Sequence, residues 1–199
     1  MFRIPLLILL GICVSLLGCA STKLATSGEV PTVSLCQSSS ETLSTLVLWG
    51  PKWRPNQKEA TRREAAVQQG LEDYFAQSGC FSKVEIHRLP EEKIERVSSR
   101  QELQALASLA SAPPDRLLVV IVRELGPVIK FLSSPAMLEG GTEVVLELTA
   151  VNLQTAASPA SFRIHWQNGG PLVIKGVKTL PDDMSAALGA AMSPGLRTE

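Results

Sequence analysis

Leu117-Leu118-Val119-Val120-Ile121-Val122 is an unbroken apolar run. A strand without polar alternation is one covered on both faces, as the central strand of a layered sheet is. Just before it, Pro113-Pro114 stops a short helix that opens on the capping-box signature Ser99-Arg100-Gln101-Glu102 and sets Leu103, Leu106, Ala107 and Ala110 on one side. Phe81 to Leu89 reads as a strand, with Val84 and Ile86 pointing one way and Glu85 and His87 the other. The spacing predicts a longer helix from about Gln57 to Ser78, with Asn56 as N-cap and Gly79 as the stop. Its stripe is Ala60, Val67, Leu71, Tyr74 and Phe75. Leu43 to Trp49 is the first strand of this series, ended by Gly50-Pro51. Strands alternating with helices in this way build parallel crossovers in one sheet.

Beyond the central run the pattern changes. Thr142 to Leu153 reads as a long strand with Val144, Leu146 and Leu148 on one face. Phe162, Ile164 and Trp166 alternate with outward Arg163 and His165. Asn168-Gly169-Gly170 is a turn signal, and Leu172 to Thr179 is expected to return as a strand. A last helix runs from about Asp182 to Met192, with Met184, Leu188 and Ala191 inward and Asp182-Asp183 suiting its N-terminal end. The fold class is therefore α/β (α+β): a single mixed-sheet sandwich, βαβαβ followed by an antiparallel β-meander and a C-terminal helix.

The chain has 199 residues, with 19 basic and 19 acidic side chains. That balance gives no broad basic face, so no nucleic-acid partner is expected. Arg3 precedes an apolar run from Ile4 to Leu17 that is shorter than the roughly 20 residues of a membrane span. The run ends in Leu16-Leu17-Gly18-Cys19, with small residues at the cut. This resembles a bacterial lipoprotein signal with its lipobox. The resemblance implies cleavage before Cys19 and acylation of that residue, which would anchor the protein to a membrane through several chains rather than one. Ala20, rather than Asp, follows the cysteine; by the same resemblance this favours the outer membrane, facing the periplasm.

Residues 1–18 are then the signal, 19–42 the lipidated cysteine and a tether, 43–192 the domain and 193–199 a tail. The tether is rich in Ser and Thr, and as a flexible coil of about 23 residues it would reach about 25 Å.

Cys13 leaves with the signal and Cys19 is acylated, so Cys36 and Cys80 are the cysteines free to pair in an oxidising compartment. With Cys36 ahead of the first strand and Cys80 at the start of the second, parallel pairing sets both at one sheet edge. The alternative is two unlinked, buried thiols.

The chemistry-bearing residues are sparse. His87 and His165 occupy outward strand positions, outside any metal-spaced motif. There is no nucleophile elbow or phosphate-cradling loop. The expectation is no enzyme activity, no cofactor and no metal. Two stretches could instead make contacts. Trp49 to Pro55 follows the C-terminal end of a parallel strand, where open α/β sheets form crevices, and offers Trp53 and Arg54. Gly126 to Gly141 reads as a long apolar loop presenting Phe131 and Leu132. The bland readings are a helix-covering Trp53 and an edge strand at Val128 to Leu132.

The order of elements and the lipobox together resemble periplasmic assembly lipoproteins, such as the curli secretion lipoprotein, and the amino-terminal domain of the Tol-Pal propeller protein. The resemblance implies a lipid-anchored, non-enzymatic accessory or assembly subunit with an envelope protein partner. A lipid- or small-ligand-binding lipoprotein is the alternative.

Overall fold

The computed structural model describes residues 20–31, 34–36, 43–55, 57–81, 83–94, 99–131, 138–155 and 158–193. The segment expected to be a lipobox, Cys19, Asn56, Leu132 and most of the tail lie outside them. The described chain forms one six-stranded mixed sheet with helices. The elements are β1 (Ser21–Gly28), β2 (Ser44–Pro51), α1 (Ala60–Gln77), β3 (Lys83–Arg88), α2 (Glu91–Ile94), α3 (Arg100–Leu106), β4 (Arg116–Phe131), β5 (Leu138–Asn152), β6 (Ala160–Pro171) and α4 (Leu180–Met192). The strand order is β1-β6-β5-β4-β2-β3. The β2–β3 and β2–β4 pairs are parallel; the other pairs are antiparallel.

The Leu117–Val122 run is the centre of this architecture. Leu118, Val120 and Val122 enter a core with Val47, Trp49, Val67, Leu71, Met184 and Leu188, beneath α1 and α4. Leu117 and Val119 enter a second core on the opposite face with Leu46, Leu48, Ile94, Leu103 and Val151, beneath α2 and α3. Both faces of the strand are thus dry, which is why its sequence never alternates. After Val122 the register shifts by one residue at a β-bulge, so that Leu125 is the next residue of β4 to enter the first core.

The α1–α4 contact depends on Gly70. A Cβ there would lie 2.6 Å from both Met184 Cβ and the Pro181 carbonyl oxygen. Gly70→Ala gains at most about 1 kcal/mol of helix propensity. Overpacking against a fixed backbone costs about 1–3 kcal/mol. The packing term is the larger, so the variant is expected to melt earlier in a denaturant titration.

The start of the sheet is tied by Asp115. Its carboxylate accepts from the Ser44 amide and hydroxyl at 2.9 Å each and from Gln154 Nε2 at 2.9 Å. The Ser44 amide bond, then the Ser44 hydroxyl and Gln154, hold the Asp115 carboxyl below its ordinary range. A depressed folded-state pKa stabilises the fold above the unfolded-state value, and this support is lost as pH falls through the folded one. Asp115→Asn is therefore expected to flatten the acid limb of a stability-against-pH curve while lowering stability at neutral pH.

Several expectations change. Ser21–Gly28, inside the stretch expected to be a tether, is a strand paired antiparallel with β6. Leu24 lies opposite Trp166, and Asn168 Nδ2 donates to Thr22 Oγ1 at 2.8 Å. Cross-strand pairing orders a segment whose own composition is polar. Asn168-Gly169-Gly170 is no turn: it continues β6, with Gly169 opposite Gly141 and Gly170 opposite Gly140. A Cβ on Gly169 would strike the Gly140 carbonyl, so these glycines serve close backbone approach. Leu172 to Thr179 is not a strand either. The chain leaves the sheet at Leu172, which has a left-handed φ of 60°, and makes a 3-10 turn at Val177–Thr179. The sheet position beside β6 that it was expected to fill belongs to β1. Helix α1 begins at Ala60 after a left-handed Glu59, later than Gln57. Glu91-Glu92 opens the short helix α2. Asp183 is buried and accepts from Lys175 Nζ at 2.6 Å and Thr179 Oγ1 at 3.1 Å, which fastens the crossing segment to α4.

Candidate interaction surface

The Cys36–Cys80 disulfide is present, with the Cα atoms 5.1 Å apart. It joins the segment before β2 to the chain between α1 and β3. Around it, the Leu35 and Cys36 amides donate to the Met192 carbonyl, and Arg116 donates to the Leu35 carbonyl at 2.6 Å.

The stretch after β2 is built against the β4 bulge. The Lys52 amide donates to the Val122 carbonyl at 2.8 Å. Trp49 is core: it is 1% exposed, and its Nε1 donates to Gln68 Oε1 at 2.8 Å. Trp53 is half-buried against the first core, and its Nε1 is enclosed with no hydrogen-bond partner among the described residues. Arg54 is exposed and its Nε lies 3.4 Å from Glu124 Oε2. Glu124, which is buried, also faces Arg63 at 3.4 Å and accepts from Gln57 Nε2 at 3.0 Å. Arg63 donates as well to the Leu125 carbonyl. Two guanidinium groups thus oppose the charge of one enclosed carboxylate while the Gln57 amide donates to it, an arrangement that fixes the loop to the bulge.

The described part of the second stretch follows the edge-strand reading, and residues 132–137 lie outside the described residues. Gly126 to Phe131 prolongs β4 and Leu138 to Gly141 opens β5, pairing rung by rung from Gly126–Glu143 to Phe131–Leu138. Pro127 is tolerated because β2 ends opposite Val122, which leaves this part of β4 as a sheet edge. Phe131 forms the last described rung. It lies seven residues beyond Glu124, about 23 Å at strand rise, so the two expected contact groups are not brought together.

What gathers at this end of the sheet was missed from the sequence. Ser21 at the start of β1 pairs with Gly169, Gly169 with Gly141, and Gly141 with Val128. The start of β1, the end of β6, the end of β4 and the start of β5 therefore share one end. Ile129, Leu172 and Ile174 are there, exposed by 54%, 63% and 76%. The Leu172 amide donates to the Leu138 carbonyl at 2.8 Å, which places the crossing segment on the start of β5. Lys23 and Lys130 are exposed at the same end on the other sheet face, with Lys23 3.9 Å from Glu139. The available signal was two glycine pairs flanked by strand-like residues, Gly140-Gly141 and Gly169-Gly170, the second read as a turn.

The remaining sheet face over β5, β6 and β1 is polar. His165 Nε2 lies 2.6 Å from Glu143, and Glu147 faces Arg123 at 2.7 Å and Arg163 at 3.8 Å. His87 lies 3.5 Å from Glu85. Among the described residues no three His, Cys, Asp or Glu side chains gather as a metal site. No helix among them is long and apolar enough to cross a membrane.

No protein-family model and no curated protein matches the chain. Solved bacterial structures of similar fold do. The PelC dodecamer from Paraburkholderia phytofirmans is 9% identical, covers 86% of this chain and 98% of its own, and has a TM-score of 0.43. Lipoprotein GNA1162 from Neisseria meningitidis is 12% identical over 73% of this chain and 96% of its own, with a TM-score of 0.38. The DUF330 protein XCC0632 from Xanthomonas campestris is 11% identical over 85% and 88%, with a TM-score of 0.37. Bacterial lipoproteins thus stand among the structural neighbours, at a likeness too distant to assign a role.

Proposed function

We propose that the protein is a lipoprotein of the bacterial envelope, cleaved before Cys19, acylated there and held on the periplasmic face of the outer membrane. In this reading it acts without catalysis, as an accessory or assembly subunit that works through protein contacts. The observation that carries it is Leu16-Leu17-Gly18-Cys19 standing directly ahead of an ordered body whose first strand starts at Ser21. The resemblance read in the sequence, to the curli secretion lipoprotein and the amino-terminal domain of the Tol-Pal propeller protein, motivates the accessory role, and the exposed Arg54 loop is the surface offered to a partner.

The test is density fractionation of envelopes carrying the natural chain or Cys19→Ala, with crosslinking in intact cells. The natural chain should appear in the outer-membrane fraction and crosslink to an envelope protein, and Cys19→Ala should leave that fraction. Identical distribution of the two chains would refute the anchor. A co-purifying extracted lipid with no crosslinked protein would favour the ligand-binding alternative.

A further inference from the structure

We infer that the sheet end formed by the start of β1, the end of β6, the end of β4 and the start of β5 is a membrane-docking surface, seated in the lipid headgroup region. The inference rests on the lipoprotein reading above and goes beyond it, because acylation alone leaves a body free to stand off from the bilayer.

The distance available is the first argument. Only Ala20 separates Cys19 from Ser21, and two residues of extended chain span at most about 7 Å. Ser21 is already paired with Gly169. Acyl chains on Cys19 would therefore enter the bilayer within about 7 Å of the first rung of the sheet. The expected tether of about 23 residues would have allowed about 25 Å. Its replacement by β1 removes that slack, so whatever lies at this end of the sheet meets the membrane surface.

The surface chemistry suits that position. Five large apolar side chains are exposed among the described residues: Leu24, Leu109, Ile129, Leu172 and Ile174. Ile129 pairs with Gly140 two rungs from Phe131–Leu138. Leu172 and Ile174 follow directly from the end of β6. Leu24 is three residues into β1 from Ser21, and Leu109 alone belongs to the opposite end, beside α3. Exposed apolar side chains clustered at one end mark a binding surface, whereas single scattered ones do not. Lys23 and Lys130 are exposed at the same end on the opposite face of the sheet, and Lys23 pairs with Glu139 at 3.9 Å. Cationic side chains at the same sheet end as the apolar tips suit an anionic headgroup layer. A strand end with apolar tips and a cationic rim is the sheet counterpart of an interfacial helix.

The test uses the acylated protein reconstituted into vesicles of phosphatidylethanolamine and phosphatidylglycerol. An environment-sensitive fluorophore is attached through Ile174→Cys in one sample and Leu109→Cys in the other. The two sites lie toward opposite ends of β4, which spans about 50 Å at strand rise. The expected result is a blue-shifted Ile174 probe that loses most of its emission to quencher-bearing lipids, with the Leu109 probe unaffected. Equal behaviour of the two probes on a protein whose mass shows the acyl chains would overturn the docking surface while leaving the lipoprotein reading intact. If the mass shows no acylation, the lipoprotein reading fails separately, and both probes are read again in a Cys19→Ser background. Quenching confined to the Ile174 probe then upholds docking without an anchor, and its loss overturns docking as well. Ile129→Glu with Ile174→Glu, both at exposed positions, should abolish the quenching of a probe on Leu172→Cys while leaving the melting temperature unchanged.

Discussion

Cys36→Ser combined with Cys80→Ser is expected to lower the free energy of unfolding by about 4 kcal/mol. The bridge spans a sequence separation of 44 residues. Closing a loop of that size removes unfolded-chain entropy equivalent to about that figure. For a body of this size the loss should appear as a fall of about 10 °C in melting temperature. The folded state is also loosened where the bridge is anchored. Ser34 Oγ donates to the Met192 carbonyl at 2.9 Å, alongside the Leu35 and Cys36 amides, so the segment before β2 is pinned to the end of α4. Without the covalent link, those bonds alone hold the segment against the junction of α1 and β3. Urea titrations with and without reductant provide the measurement, and an unchanged midpoint under reducing conditions would contradict it.

Trp49→Ala is expected to cost about 3–5 kcal/mol, the range for truncating a fully buried tryptophan. Trp49 is among the largest side chains buried to less than 2% exposure, and it lies between Val67 and Leu71 of α1 and the β4 residues Val120 and Val122. Its loss would also leave Gln68 Oε1 without its donor. A binding tryptophan would behave in the opposite way, with partner capture lost and stability kept. Trp53→Ala provides the comparison, because a half-buried ring at the edge of the core should cost less than Trp49 does. Denaturant unfolding of the two variants side by side tests the assignment of Trp49 to the core.

Much of the fold is readable where a segment's own pattern decides its structure. Leu117–Val122 reads as buried on both faces, Ser99-Arg100-Gln101-Glu102 forms its capping box, and Phe162, Ile164 and Trp166 face the core as their alternation requires. What could not be read is decided by partners distant in sequence. Ser21–Gly28 has one large apolar residue, Leu24, and becomes a strand because β6 offers a free edge 146 residues away at the Thr22–Asn168 pair. Gly169-Gly170 carries the local signature of a turn, yet it lies opposite a second glycine pair, and the two strands approach as closely as their missing side chains allow. Pro127 signals a break in isolation and is harmless on the edge that β2 leaves uncovered. The interaction surface follows the same division. Trp53 and Arg54 were visible as a loop after a parallel strand, whereas Ile129, Leu172 and Ile174 meet only once β1, β6, β5 and β4 are aligned.

These alignments turn a segment expected to be a loose leash into a strand of the sheet that starts two residues after Cys19, the residue proposed to carry the acyl chains. Intact-mass and amino-terminal analysis of the protein extracted from envelopes tests that anchorage most directly. The expected result is a chain that begins at Cys19 and carries the mass of its acyl groups. A chain recovered from the cytosol with its first eighteen residues retained and no added mass would contradict it.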